Sequence, residues 1–269
     1  MTTTEGNEDR EQTFLEHLIE LRGRLLKASA AVLVVLLVLL PFSRKLYEYL
    51  AAPLTAKLPA GSSMIAIDVA SPFLTPFKLA LLLALILAIP IVLYQSWAFV
   101  APALYRHEKR LAKPLLYSAV VLFYAGCAFA YFVVFPLIFG FFASAAPAGV
   151  SVMTDISKYL DFVITLFMAF GLAFEVPIAT IILVATGICT VDQLSKARGY
   201  VVVGAFAVGM LLTPPDVISQ TLLAVPIWLL FELGLVMARL LLPHRVKANK
   251  DDAGDDAGAA DAASDQANN

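Results

Sequence analysis

Residues 79–105 read LALLLALILAIPIVLYQSWAFVAPALY, twenty-seven positions without an Asp, Glu, Lys or Arg. As a helix, at 1.5 Å per residue, the run is about 40 Å long, enough to cross the ~30 Å hydrocarbon core of a bilayer. Lys78 and Arg106 bound it. Working outward, the same search gives 28–43, 114–154, 162–191, 199–215 and 217–238, with single interruptions at Glu175 and Glu232. The window 114–154 is too long for one span. Its tail, ASAAPAGVSVMT, reads as a loop after a helix ending near Phe142. The expectation is an all-α polytopic membrane protein with six transmembrane helices.

Composition agrees. The chain is 60% hydrophobic and 15% charged, against about 45–50% and about 25% in soluble domains. A soluble enzyme is excluded, and the spans leave no room for a separate catalytic domain. The balance of 19 basic and 21 acidic residues gives no basic surface for nucleic acid. Cys127 and Cys189 lie in different hydrophobic segments and read as buried free thiols, with neither disulfide nor metal spacing. No metal or cofactor is expected. The polar N-terminus, MTTTEGNEDREQTF, resembles neither a cleavable signal peptide nor an Arg-rich transit peptide, so the first span is expected to be retained.

Spans five and six read as short. From Arg198 to Asp216 is 18 steps, roughly 27 Å, and Thr213-Pro214-Pro215 ends the helix earlier still. Such mismatch is met by local thinning of the bilayer or by partner helices. Orientation follows from Lys and Arg. Fourteen fall in the N-terminal segment, the loops after spans two and four and the C-terminal segment, against five in the other loops. Cytoplasmic loops carry the excess, so both termini are expected on that side. The membrane domain is placed at 1–243. Residues 244–269, with six Asp among Ala, Gly and Asn, form an acidic cytoplasmic tail expected to be disordered.

Several polar residues stand out. Thr13 and Glu16 have the spacing of a capping box, and Phe14, Leu18, Leu21 and Leu25 recur on one helical face. An amphipathic helix over about 13–26 is predicted to run into span one. Glu20 either pairs with Arg24 one turn on or offers an acidic contact to a basic ligand. Glu108, amid Arg106, Lys109 and Arg110, is either charge balance or a second such contact. Glu175 lies 14 residues after Asp161 and 17 before Asp192, near mid-span, with Pro177 predicted to bend the helix. A charged residue there costs about 2.5–3.5 kcal/mol on insertion scales, so it reads as a functional group by default. Glu232 is expected to snorkel to the interface. Asp216 reads as a helix cap after Pro-Pro. Ala205 and Gly209 read as a small-residue pair for close helix packing. There is no nucleotide-binding loop, zinc-protease or esterase motif. Asp161 and Asp216 lie near span ends, which disfavours an intramembrane protease.

Several ordered motifs then carry a resemblance. His17-Leu-Ile-Glu20-Leu-Arg22, Ser71-Pro-Phe, Trp97-Ala-Phe99-Val-Ala-Pro102-Ala-Leu-Tyr105 with Glu108, Phe170-Gly-Leu-Ala-Phe-Glu175-Val-Pro177, and Leu211-Leu-Thr213-Pro214-Pro215-Asp216-Val-Ile-Ser-Gln220 resemble the TatC family, from about residue 14 to 243. The resemblance implies a signal-peptide receptor and scaffold of the twin-arginine translocase, which exports folded proteins across the bacterial inner membrane using the proton gradient. It implies that Glu20, Arg22, Phe99 and Glu108 face the twin-arginine motif. It places Pro53 and Asp216 in the periplasmic cap, and Met210, Thr213 and Gln220 where a single-span partner, TatB or TatA, docks. Glu175 matches a membrane-buried polar residue. Implied partners are twin-arginine signal peptides, TatA and TatB, further copies of the chain and membrane lipid.

Physics suits this role. Arginine pairs with a carboxylate through two N–H donors, which lysine cannot copy. A folded cargo of 100 residues has a radius of gyration near 13 Å, too large for a hole among six helices of about 10 Å diameter. One copy therefore cannot be the conduit, which suits the receptor role that the resemblance implies. The alternative is a proton-coupled small-solute transporter with Glu175 as its proton site. Against it, the sequence shows no inverted repeat of paired broken helices.

Overall fold

The computed structural model describes residues 5–55, 64–107, 109–144, 153–212 and 217–243. Helices dominate: α1 (Glu5–Leu39), α2 (Ser43–Thr55), α3 (Ser71–His107), α4 (Lys109–Phe129), α5 (Phe135–Ser144), α6 (Ile156–Ala173), α7 (Val176–Ala185), α8 (Val191–Lys196), α9 (Arg198–Leu212) and α10 (Val217–Leu241). Two two-residue strands, β1 (Met64–Ile65) and β2 (Thr154–Asp155), pair in parallel with Met64 opposite Thr154 and Ile65 opposite Asp155.

Among the described residues, five helical stretches are long and apolar enough to cross a membrane: Ile19–Ala52, Ser71–Phe99, Lys113–Phe142, Ile156–Ala185 and Val217–Leu241. The remaining expected span, the fifth, is α9, apolar but only 15 residues long, or about 22 Å.

Proline accounts for most of the breaks. Pro41 sits in a 3-10 turn, Leu40–Phe42, between α1 and α2. A π-helical turn, Ala130–Val134, separates α4 from α5. Pro136 follows it and has no N–H to give the carbonyl of Phe132, so the helix widens rather than breaks. The bend expected at Pro177 falls at Phe174–Glu175, and Pro177 occupies the first turn of α7, where its missing N–H costs nothing.

Three expectations are corrected. The N-terminal helix begins at Glu5, so Thr13 is interior and caps nothing. No chain break precedes Thr13, and the Glu, Arg and Gln before it favour helix. The capping box lies instead at Thr190, which follows the end of α7 at the left-handed Gly187 (φ 79°). There the Gln193 N–H donates to Thr190 Oγ1 at 3.1 Å, and the Thr190 N–H donates to Gln193 Oε1 at 2.9 Å. Second, span six is not short: α10 runs 25 residues, about 37 Å. Its helix continues through Arg239, a cation favoured in a last turn by the helix dipole. Third, the charged segment 106–113 is mostly helical, with Arg106 and His107 ending α3 and Lys109 opening α4.

The chain divides into two compact units. The first comprises Met1–Pro102 and Lys113–Gly171. Its buried centre is aromatic: Phe135 meets Phe139 and Phe167 at ring distances of 5.6 and 5.2 Å, and Phe170 meets Phe129 at 5.5 Å. The Tyr159 hydroxyl donates to the Leu50 carbonyl at 2.9 Å, tying α6 to α2. Gly171 leaves room for the Phe123 ring, which a Cβ would meet at 2.7 Å. Lys78 of α3 pairs with Asp161 of α6 at 2.8 Å.

The second unit comprises Ala103–Ala112 and Leu172–Asn269, and in it α10 packs on α7 and on α9. Gly234 meets Pro177 so closely that a Cβ would lie 2.9 Å from the proline Cα. Ala205 and Gly209 are buried, as the small-residue spacing led one to expect, with Gly209 against the backbone of Gln220. The acidic tail expected over 244–269 lies outside the described residues.

Candidate functional site

Glu20 and Arg22 lie on α1, a helix continuous from the polar N-terminal segment into the first apolar stretch. Both are exposed. Arg24 Nε donates to Glu20 Oε1 at 2.9 Å, and Arg24 Nη2 donates to the same oxygen. The two side chains are one helical turn apart, so sequence spacing alone brings them together. Arg22, two residues from Glu20, projects to another face of the helix. Phe99 lies half-buried on α3, two residues beyond the buried Trp97. Glu108 lies outside the described residues.

Glu175 sits in the turn between α6 and α7, where its backbone N–H donates to the Leu172 carbonyl at 3.1 Å. Its Oε1 is buried and meets no hydrogen-bond partner among the described residues. Buried polar atoms are nearly always paired, so this unpaired oxygen is an exception.

Met210 is exposed on α9, and Gln220 is half-buried on α10 beside Gly209. The structure thus brings Met210 and Gln220 to one helical hairpin, while Thr213 and Asp216, in its connection, lie outside the described residues. Pro53 lies in the last turn of α2.

Sequence reasoning missed two features. Asp155 accepts from the Ser157 and Lys158 N–H groups at 2.8 and 3.0 Å, capping α6, while its other oxygen accepts from the Ile67 N–H at 2.9 Å. These backbone donors, Ile67 first, hold its carboxyl below the usual carboxylate range. The signal was present: an Asp immediately before a long apolar run is a helix cap. Glu232 accepts from Arg198 Nη2 at 2.9 Å, closing the α9–α10 hairpin at the end away from residues 213–216.

The profile of the family described as Sec-independent protein translocase protein (TatC) matches residues 16–226. The chain belongs to the TatC family. A TatC protein of Azotobacter chroococcum mcd 1 is 57% identical over 233 residues, covering 87% of this chain and 91% of that relative. The TatC protein of Escherichia coli K12 is 57% identical over 228 residues, covering 85% and 88% respectively. The crystal structure of a twin-arginine translocase receptor, TatC, superposes with a TM-score of 0.73 at 36% identity, covering 83% of this chain and 98% of that one. This TatC-family chain is thus a multi-pass inner-membrane component of Sec-independent protein translocation. TatC is a family of translocase components rather than of enzymes, and the small-solute transporter reading has no support.

Proposed function

We propose that the chain is the receptor for twin-arginine signal peptides and the scaffold on which the export complex for folded proteins assembles, driven by the proton gradient. The observation that carries this reading is Glu20: an exposed carboxylate in the His17–Arg22 motif that already accepts two N–H donors from a guanidinium. That is the contact a signal arginine needs. Arg22, Phe99 and Glu108 are the further residues read as contacts of the signal peptide.

In this reading the chain crosses the membrane six times, with α9 as a short fifth span and both termini in the cytoplasm. The fourteen-to-five distribution of Lys and Arg supports that orientation. Residues 1–243 form the membrane domain and 244–269 an acidic cytoplasmic tail. TatA and TatB single-span subunits dock along α9 and α10 at Met210, Thr213 and Gln220. Pro53 and Asp216 belong to the periplasmic cap. Glu175 receives a polar group of the signal or partner helix. Further copies of the chain, with surrounding lipid, complete the complex.

The test is photocrosslinking of a twin-arginine signal peptide to the purified complex. Glu20→Ala and Glu108→Ala each weaken it, and a Lys-Lys signal crosslinks markedly less than Arg-Arg. Unchanged crosslinking in both variants would refute the site assignment.

A further inference from the structure

The geometry points to Arg24 as the residue that sets the affinity of the receptor carboxylate, by competing with a signal arginine for Glu20. This rests on the reading of Glu20 as a signal-peptide contact.

Two donors of Arg24, Nε and Nη2, converge on Glu20 Oε1. Among the described residues no donor meets Oε2. An incoming guanidinium that engages both oxygens must therefore displace Arg24 from Oε1. The incoming and outgoing groups are chemically the same, so the exchange trades like contacts for like. Arg22 does not compete, since positions i and i+2 lie on different helix faces.

The contact is local and exposed: the Arg24 and Glu20 side chains are 24% and 41% accessible. An exposed pair one turn apart is weak, which suits a placeholder. It occupies the carboxylate for part of the time and yields to a ligand that brings contacts of its own. A site only fractionally free binds with an affinity reduced by that fraction. For a pair of this kind the reduction is about twofold. The reduction falls on a ligand that needs both oxygens, so Arg24 lowers the affinity for arginine signals, while a lysine ammonium can take the open Oε2 and is affected less. Discrimination between the two belongs to the carboxylate and its fork geometry, while Arg24 fixes the threshold that an arginine fork must pass.

The experiment is anisotropy titration of dye-labelled Arg-Arg and Lys-Lys signal peptides. The titrant is the complete complex, assembled with its partner subunits in lipid nanodiscs. Arg24→Gln is expected to tighten the Arg-Arg peptide by about twofold and the Lys-Lys peptide by less. In a Glu20→Gln background the same substitution is expected to have no effect. If Arg24→Gln weakens binding, Arg24 positions the carboxylate or touches the signal itself, and the inference is overturned. It is equally overturned by no change in the Glu20 background, or by an equal gain in the Glu20→Gln background, which is a general effect of charge. Glu20→Gln alone separates the two levels. If it leaves binding unchanged, the reading of Glu20 as a signal-peptide contact fails and the inference with it. If it weakens binding while Arg24→Gln does not strengthen it, only the inference fails.

Discussion

Asp155 holds Ile67, 88 positions away in the chain, through a 2.9 Å bond from the Ile67 backbone N–H to its carboxylate. The same side chain caps α6 with its other oxygen. One carboxylate therefore fixes the start of a long helix and the stretch between β1 and α3. It does so beside the parallel pairing of Ile65 with Asp155.

This contact has a defined pH dependence. The folded-state pKa of Asp155 is lowered, chiefly by the Ile67 N–H. Its contribution to stability is therefore full above the unfolded value of about 3.9 and is lost as pH falls through the folded pKa. Asp155→Ala should lower the thermal unfolding midpoint in detergent at pH 7. The difference from the parent should shrink below about pH 4. A difference that stays constant across that range would show that the carboxylate charge is irrelevant to the contact.

Gly234 is a close-approach glycine. A Cβ there would lie 2.9 Å from the Cα of Pro177 and 3.0 Å from Thr180 Cβ. Gly234→Ala should destabilise the chain by about 1–3 kcal/mol through overpacking. Gly204, with nothing within 4 Å, is the matched control. Gly204→Ala should be neutral or stabilising by up to about 1 kcal/mol, because glycine disfavours helix. Parallel denaturation of both variants checks the contrast, and equal effects would contradict the packing argument.

At Glu175 stability and the proposed role oppose one another. Its Oε1 is buried without a partner among the described residues, and an unsatisfied buried acceptor costs about 1–3 kcal/mol. Glu175→Leu should therefore raise the unfolding midpoint of the isolated chain while reducing export of a folded twin-arginine precursor. A variant that loses stability would show that the carboxyl is satisfied inside the chain.

The Arg198–Glu232 pair is partly exposed, at 44% and 26%. A double-mutant cycle on Arg198→Gln and Glu232→Gln should give a coupling of about 0.2–1 kcal/mol that falls with salt. A salt-independent coupling well above that range would mean the pair is buried in the membrane-bound state.

How far the sequence could be read depended on the range of each interaction. The apolar windows were legible because span length is set by the bilayer. Glu20 and Arg24 were legible as a pair because one helical turn joins them. The capping box was assigned to Thr13, where the local pattern fitted but the chain was already helical. Thr190 carried the same pattern after a glycine stop, and there the structure forms it. The full length of α10 was missed because a window rule stops at charges such as Arg239, and the π turn before Pro136 because a window rule counts apolar residues and carries no backbone geometry.

The sequence by itself determined the number and placing of apolar runs, the asymmetry of basic charge and the contacts made within one turn. Tertiary structure alone decided that Lys78 meets Asp161, that Arg198 meets Glu232 and that Asp155 holds Ile67. It also decided that Gly234 admits Pro177. The physical reason is that helix formation and membrane insertion are set by neighbouring residues and by the lipid. Long-range pairing depends on how helix faces pack, and that is fixed only when side chains distant in the chain compete for the same space.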